Sequence, residues 1–538
     1  MTAMLPYNLP GFTQPSGRGS ASSPHLRAGM ESGRKYNPNT SRKSVRIKGA
    51  IVRLFACSLM ILCIASASGD QGDVLEGAGA SPGGTAVRVA LGLGQSAAAL
   101  TVRQGSYTLS DPGLGADAGR ISAGQKIHIT PTGGMLNIAV DGVAASFRGN
   151  RALLAPEGGD VDILMYEART YRGGFLIENT EGALNVINIL DVDLYLLGVL
   201  PMEMGLPSAP AEALKAQAVV SRTYALKKRS AARSYDLVSG SSDQLYGGYG
   251  NEKSYTTAAV EATGGQAIFY DGQLIEAFFS SNGGGFTEDA ENVWNESLPY
   301  AKAVASPYDA SALDAPQDSG GYPGITYHWQ VRYTLEELQS RITQWNKDYP
   351  DRKINIGALR SINAYALAYD PAGATITGQP NASGRVTKLD LLGADGLHSL
   401  YRENVRWFLG LRSALFTLTP EGGIAVRNGA GAAVMLGESI EGAKGLAANG
   451  QPSAINPGSG SFFVLTANGI EEIKKENGGA AAAYLIDGKG YGHGVGLSQW
   501  GAIGMAQAGK TYRQIIEHYY NQGKNDGRLA LRNMAEND

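Results

Sequence analysis

Cysteine is nearly absent from this chain. The 538 residues include only Cys57 and Cys63, and both lie in one apolar stretch at residues 54–65. The chain beyond that stretch therefore has no thiol, which excludes a disulfide-stabilised scaffold and thiolate catalysis. Histidine is also sparse, and no two histidines have the spacing of a metal-binding pair. We therefore expect no metal ion and no other cofactor.

Charged residues are scarce as well, at 18% of the chain. The totals are 46 basic and 49 acidic side chains, but residues 1–53 contain nine of the basic ones and a single acid, Glu31. The remainder is therefore acidic. Such a body disfavours nucleic-acid binding, because that binding needs a cationic surface to displace counterions from phosphates.

The apolar run at residues 54–65 falls short of the roughly 20 residues that a membrane-spanning helix needs. It follows a basic segment and ends in Ala65-Ser66-Ala67, which is the pattern of a secretory signal peptide. Cleavage after Ala67 is favoured over a retained anchor, and Leu62 before Cys63 argues against a lipoprotein. We predict an extracytoplasmic protein, either secreted or held at the membrane by an uncleaved signal segment.

Glycine and tyrosine are abundant, with 73 and 26 copies, and short alternating apolar segments recur between Gly, Pro and Asp turns. This pattern predicts a strand-rich α+β fold in which a mixed sheet core carries one main helix. The predicted units are a disordered extension and signal peptide at 1–67, a linker and β-rich accessory domain at 68–165, a core domain at 166–330, an insert with strands and one helix at 331–484, and a C-terminal part of the core at 485–538.

The main helix is predicted at residues 211–228, a stretch without Gly or Pro. Ser208 and Pro210 stand where a cap and a first turn are expected. Shorter helices are predicted at residues 335–345 and 512–520. Residues 184–190 alternate as a strand does, so the run that follows them, up to residue 204, is interpreted as the junction between strand and helix.

Glu203 lies within that apolar junction, between Met202 and Met204. Apolar neighbours reduce the hydration of a carboxylate and raise its pKa toward the range that a general acid needs. Glu203 could equally cap the following helix or pair with Lys215 or Arg222, and the local sequence does not decide between these roles.

From about residue 85 to residue 520 the chain resembles the stage II sporulation protein D / LytB family. The resemblance rests on segments that occur in one order, at residues 195–203, 212–225, 243–246, 278–288, 294, 299–300, 307–309, 383–386, 406–416 and the GHGVGLSQWGA motif at 492–502. It implies a catalytic core at 166–330, with the main helix as the catalytic helix, completed by residues 485–538. It also places the family's catalytic glutamate at Glu203.

The resemblance implies a bacterial cell-wall protein, specifically a lytic transglycosylase that cleaves peptidoglycan glycan strands stripped of stem peptides. Glu203 would protonate the glycosidic oxygen, and the C6 hydroxyl of the muramic acid would close on C1 to give a 1,6-anhydro end. Hydrolytic glycosidases need two carboxylates, whereas an internal nucleophile removes that need. The nearest second carboxylates, Asp191 and Asp193, are expected at an exposed strand end. The alternative function is a non-catalytic wall-binding protein that stimulates a cell-wall amidase.

The resemblance also suggests substrate contacts. Arg222 could anchor an acetamido or carboxylate group, or instead pair with Glu212 or Glu276. Gln244 and Tyr246 suit sugar hydroxyls and sugar faces, although tyrosines are more often core residues. The remaining predicted contacts are Ser281 in the groove wall, His493 between alternating glycines, Gln499 in the same motif, and Trp294 as a stacking surface. Some relatives hold zinc beside the position of Gln244, but Ser241, Ser242 and Asp243 stand there in this chain.

Overall fold

The structure is a computed structural model that describes residues 85–113, 116–314, 326–421 and 483–534, together with the backbone of short strands between residues 424 and 473. The predicted signal segment and the linker that follows it lie outside these residues. The helices in this part of the chain are α1 (Val192–Met204), α2 (Ala211–Lys227), α3 (Ser254–Glu261), α4 (Ala290–Val293), α5 (Leu335–Asp348), α6 (Glu403–Leu409), α7 (Gln499–Gln507) and α8 (Tyr512–Asn521).

The strands of the same residues are β1 (Ala86–Gln95), β2 (Ala98–Gln104), β3 (Ser106–Asp111), β4 (Ala116–Ser122), β5 (Lys126–Thr132), β6 (Met135–Val140), β7 (Val143–Ala144), β8 (Arg151–Pro156), β9 (Ile163–Tyr166), β10 (Arg169–Tyr171), β11 (Gly174–Thr180), β12 (Ala183–Asp191), β13 (Leu237–Val238), β14 (Gln266–Tyr270), β15 (Gln273–Leu274), β16 (Phe279–Ser280), β17 (His328–Thr334), β18 (Leu359–Tyr365), β19 (Leu367–Tyr369), β20 (Ile376–Pro380), β21 (Lys388–Gly393), β22 (Leu397–Tyr401), β23 (Phe416–Glu421), β24 (Ile424–Arg427), β25 (Ala433–Leu436), β26 (Lys444–Leu446), β27 (Pro452–Ala454), β28 (Phe462–Thr466), β29 (Gly469–Ile473), β30 (Ala483–Lys489), β31 (Leu497–Ser498) and β32 (Leu529–Asn533). The fold is a strand-rich α+β fold, as predicted.

Two sheets dominate the N-terminal part. One has the strand order β13-β1-β12-β11-β8-β3-β4 and the other has the order β10-β9-β2-β5-β6-β7. β1 pairs antiparallel with β12, with Ala86 opposite Asp191. Strands from either side of residue 165 therefore share one sheet, so the predicted boundary between accessory and core domains runs through it.

The same hydrophobic core continues from these sheets into the helices. Val87 in β1, Leu100 in β2, Leu196 in α1 and Val219 in α2 are all buried in one cluster. The helix α2 contacts α1, α3, α7, α8 and β14, and small alanine side chains along it allow such close approach. Its position as the central helix confirms the main helix predicted from sequence, although its cap is Pro210 with no side-chain hydrogen bond, and not Ser208.

A second core lies in the segment that was predicted as an insert. β17, β30 and β23 form one small sheet and β18, β21 and β22 form another, with buried Leu338, Leu389 and Tyr484 in a separate hydrophobic cluster. β17 lies at the start of the predicted insert and β30 lies at its end, and the two strands pair antiparallel. The two ends of the insert are therefore adjacent in space. This pairing brings the C-terminal motif back to the helices α1 and α2.

Candidate active site

Glu203 lies in the last turn of α1, and its position corrects the predicted strand–helix junction. Asp191 ends β12 and caps α1 by accepting a hydrogen bond from the Asp193 N–H at 2.8 Å. The helix is buried over most of its surface, and it contains Pro201 only one turn before its end. Glu203 is 2% exposed, so the helix points a carboxyl group into the protein interior.

Burial controls the charge of Glu203. Desolvation raises the pKa of this carboxyl from 4.5 to about 7, while the Leu245 N–H and the Gln499 side chain act in the opposite direction. The Leu245 N–H donates to Oε1 at 2.9 Å. Because two donors favour the ionised form and burial opposes it, the group can both give and take a proton near neutral pH. This agrees with the pKa rise expected from the apolar sequence around it.

Gln499 reaches Glu203 from the far end of the chain. It is the first residue of α7, directly after Ser498, whose hydroxyl caps that helix by accepting from the Gly501 N–H at 3.3 Å. Gln499 is 2% exposed. Neither polar atom of its amide makes a hydrogen bond of standard geometry within the described residues, although the amide lies close enough to Glu203 to lower the pKa of that carboxyl. The amide is therefore available to the carboxyl and to whatever binds there.

Arg222 does not join this site. Its guanidinium is fully buried, pairs with Asp193, and donates to the Gln266 and Val260 carbonyl oxygens at 3.1 and 3.3 Å. A salt bridge was the predicted alternative to substrate binding, but the partner is Asp193 and not Glu212 or Glu276. Ten residues separate Asp193 from Glu203, about 15 Å along a helix, so Arg222 lies near the opposite end of α1.

Gln244 and Tyr246 are also held by the protein itself. Gln244 is fully buried, accepts from the Tyr195 hydroxyl at 3.3 Å and donates to the Ser221 carbonyl oxygen at 3.5 Å. The Tyr246 hydroxyl donates to Asn188 at 3.0 Å, and its ring packs 4.9 Å from that of Tyr195. The predicted sugar contacts are thus core residues in this arrangement. The group that reaches Glu203 is the backbone N–H between them, on Leu245, which sequence reasoning missed because no side chain signals it.

Ser281 lies next to the start of α7. It is buried, and its carbonyl oxygen accepts from the Trp500 N–H at 3.0 Å. Ser281 therefore helps to place Gln499, and a role as sugar contact remains a prediction.

His493 is buried against aromatic rings. Its imidazole lies 5.0 Å from Trp294 and 6.3 Å from Phe278, measured between ring centroids. Nδ1 accepts from the Val495 N–H at 3.0 Å, which leaves the ring proton on Nε2. Burial holds the pKa of His493 well below 6.5. The imidazole is therefore neutral and cannot serve as a charged acid in this setting.

The glycines around His493 allow the loop to pass tightly over its neighbours. Gly494 has φ +82°, and a Cβ at this position would lie 2.4 Å from the buried guanidinium carbon of Arg385. Both the positive φ and the contact demand glycine here.

Gly494→Ala should therefore destabilise the protein while Gly509→Ala should be milder, because Gly509 has a similar φ of +80° but open space around its Cβ position. We expect the Gly494 variant to lose about 2 kcal/mol or more of unfolding free energy, from backbone strain and overpacking together. Urea denaturation of both variants measures the difference. Equal losses would show that the close approach to Arg385 has no energetic role.

The described residues contain no group of three His, Cys, Asp or Glu side chains that could hold a metal ion. In the same part of the chain, no helix is long and apolar enough to cross a membrane.

Comparison with known proteins shows that part of this site is similar to a known family. The family model described as "Stage II sporulation protein" matches residues 180–270, which include α1, α2 and Leu245. The matched segment is similar to this family. This confirms the resemblance noted in the sequence.

The SpoIID/LytB relatives extend over more of the chain. The amidase enhancer of Bacillus subtilis is 27% identical over 340 residues, which is 60% of this chain but 39% of the relative. The stage II sporulation protein D of Bacillus amyloliquefaciens is 26% identical over 61% of this chain and 71% of its own length. An uncharacterized protein of Brachyspira hyodysenteriae is 28% identical over 65% of this chain and 71% of its own length. Together they support a cell-wall-related role.

Proposed function

We propose that the protein is a secreted peptidoglycan lytic transglycosylase that uses Glu203 as its single acid and base. The observation that supports this most strongly is the buried carboxyl of Glu203 with a pKa of about 7, held between the Leu245 N–H and Gln499. An ordinary surface glutamate is ionised at neutral pH and gives up no proton to a sugar oxygen. Its substrates would be glycan strands, stripped of stem peptides as the family resemblance implies.

The reaction requires only one carboxyl group. Protonated Glu203 gives its proton to the glycosidic oxygen as the bond from that oxygen to C1 of the muramic acid breaks. The C6 hydroxyl of the same sugar then bonds to C1, and its proton passes to the Glu203 carboxylate. The products are a 1,6-anhydro end and a free hydroxyl on the departing chain, and Glu203 is protonated again.

The positions of Asp191 and Asp193, the two candidate partner acids, support a mechanism without a second carboxylate. Hydrolytic glycosidases hold their two carboxyl groups about 5 to 9.5 Å apart. Asp193 lies about 15 Å away along α1 by helical rise, and its carboxylate pairs with Arg222. Asp191 caps the start of the same helix. Neither is placed to activate a water molecule beside Glu203.

Activity should decrease as the pH rises through about 7. Only protonated Glu203 can start the reaction, and its pKa of about 7 means that each further pH unit removes about nine-tenths of the competent form. The measurement is the pH dependence of kcat/KM on purified glycan strands between pH 5 and pH 9. A rate that stays constant or increases over this alkaline limb would contradict the assignment of Glu203 as general acid.

The function itself is tested by product analysis. Purified protein is incubated with glycan strands that keep or lack their stem peptides, and muropeptides with anhydro ends are sought by mass spectrometry. We expect such ends from the stripped strands. A reducing end in place of the anhydro end would indicate hydrolysis and would require a second carboxylate.

The second candidate function is a non-catalytic wall protein that stimulates an amidase. It is supported by the relative named amidase enhancer and by the finding that Arg222, Gln244 and Tyr246 are engaged within the protein. Stimulation of an added cell-wall amidase, without anhydro products on either strand type, would favour it. Both functions require export, and detection of the mature protein outside the cytoplasm by fractionation tests that shared proposal.

A further inference from the structure

Asp309 is a fully buried carboxylate in the short 3-10 helix Pro307–Asp314. Its Oδ1 accepts from the Ser306 hydroxyl at 2.9 Å and from the Ser498 hydroxyl at 2.5 Å, while Oδ2 accepts from the Gly285 N–H at 2.9 Å. The neighbouring charges and titratable groups are Arg385 and Tyr519. The proposed mechanism does not use Asp309. Its carboxylate nevertheless joins the turn at Gly285 to Ser498, the residue before α7.

Ser498 connects Asp309 to the start of α7. Its hydroxyl donates a hydrogen bond to Asp309 and accepts from the Gly501 N–H at 3.3 Å and from the Gly283 N–H at 3.0 Å. A hydroxyl can accept twice in this way only while its own proton is directed elsewhere. The carboxylate therefore fixes the direction of the cap, and the next residue after that cap is Gln499.

Two glycines show how closely the surrounding backbone fits Asp309. A Cβ at Gly283 would lie 2.6 Å from Oδ2, and a Cβ at Gly501 would lie 2.6 Å from Oδ1. A larger residue at Gly283 would meet the carboxylate first, and one at Gly501 would meet the Tyr519 hydroxyl at 2.0 Å as well as the carboxylate. The first turn of α7 and the turn after Ser281 are thus both built around the same side chain.

We infer that Asp309 is a positioning residue, which acts through Ser498 to hold the Gln499 amide against Glu203. This inference rests on the role of Glu203 in the proposed function. The groups that face Glu203 include the Leu245 N–H and the Gln499 amide, with the Tyr195 phenol of α1 nearby. Of these, only the Gln499 amide depends on the start of α7 for its position.

Asp309→Asn is an informative change because it keeps the shape of the side chain but replaces one acceptor oxygen with an NH2 group, which only donates. The new amide group would have to face either the Gly285 N–H or the two serine hydroxyls, and an NH2 group cannot accept their hydrogen bonds. In either orientation the negative charge that orients the Ser498 hydroxyl is lost, so the cap at Ser498 is weakened. Once the Gln499 amide no longer favours the ionised carboxyl, the pKa of Glu203 should rise.

The experiment measures the pKa of Glu203 by carbon-13 NMR of protein labelled at the glutamate carboxyls, with Glu203→Gln used to assign the signal. We expect Asp309→Asn and Gln499→Leu each to raise this pKa by roughly half a unit or more. The double variant should show no larger shift than either single one, because both changes remove the same interaction. Ser306→Ala, which removes a donor to Asp309 and leaves the Ser498 cap intact, should leave the Glu203 pKa unchanged.

An unchanged Glu203 pKa in folded Asp309→Asn, or fully additive shifts in the double variant, would overturn the inference. If Asp309→Asn does not fold, Ser498→Ala takes its place, with the same expected shift and the same opposing result. The NMR measurement needs no turnover. It therefore separates a failure of this inference from a failure of the proposed glycan cleavage, which the product analysis detects.

Discussion

Glu203→Gln should reduce anhydro-product formation by about 100- to 10,000-fold, because a carboxamide cannot supply the proton that the leaving sugar oxygen needs. The substitution keeps the shape of the side chain and the acceptor for the Leu245 N–H, which lies 2.9 Å from Oε1. Binding of glycan strands should therefore persist. Initial rates from wild type and variant on the same stripped strands, with product identified by mass spectrometry, give the ratio.

The same variant should be more stable than the wild type at alkaline pH. The pKa of Glu203 is raised by burial from 4.5 to about 7, so between these values the folded protein holds a proton that the unfolded chain has lost. Folding stability therefore decreases as the pH rises through this interval, by about 3 kcal/mol in total. A neutral glutamine avoids this loss, and the advantage should vanish at pH 4.

Opposite effects on activity and stability distinguish a catalytic carboxyl from a structural one. A variant that is inactive because it is unfolded would show a decreased melting temperature at every pH. Undiminished anhydro products from Glu203→Gln would refute the role of Glu203 directly. Loss of activity without any gain in stability at pH 8 would instead indicate that the carboxyl is better solvated than its burial implies.

Asp193→Asn should have the second large effect, and it concerns stability. Arg222 is fully buried, and Asp193 is its ion-pair partner. Removing one partner of a buried pair leaves an uncompensated charge, which costs about 3 to 5 kcal/mol of unfolding free energy. Because Asp193 is about 33% exposed, a value at the lower end is expected. Urea denaturation followed by circular dichroism measures the change.

Asp271→Asn provides the matched control for this variant. Asp271 also pairs with an arginine, Arg528, but both side chains are about half exposed, at 51% and 48%. Exposed ion pairs contribute little to stability. Equal destabilisation by the two variants would show that the burial of Arg222 does not make its partner important.

The elements that sequence predicted well are those with an ordinary local signal. The helices α2, α5 and α8 begin at Ala211, Leu335 and Tyr512 as predicted, because each has polar and apolar faces or strong helix formers. The helix α1 was missed because it is buried on nearly every side and so has no polar face to give a helical period. Its Gly198 and Pro201 also argue against a helix locally. Tertiary contact explains Gly198, since a Cβ there would lie 2.6 Å from the Tyr246 ring.

The site was predictable only in part, for a related reason. The apolar neighbours of Glu203 correctly indicated a carboxyl with a raised pKa. The sequence did not show that Arg222 would pair with Asp193. That ion pair forms because Asp193 lies in the first turn of α1, and α1 itself was not predicted. Leu245 contributes a backbone group, and Ser498 and Asp309 act through geometry that no single segment encodes. Sequence thus indicated a carboxyl with a raised pKa but not the backbone group and the helix start that surround it.

Glu203 and Gln499 are almost 300 residues apart in the sequence, and the distant amide contributes to the pKa of the carboxyl. During synthesis the ribosome completes α1 long before α7 exists. A growing or C-terminally truncated chain would therefore contain the acid without the amide. Until α7 has been made, only burial and the Leu245 N–H would set the pKa of Glu203, and the C-terminal motif would lower that pKa afterwards.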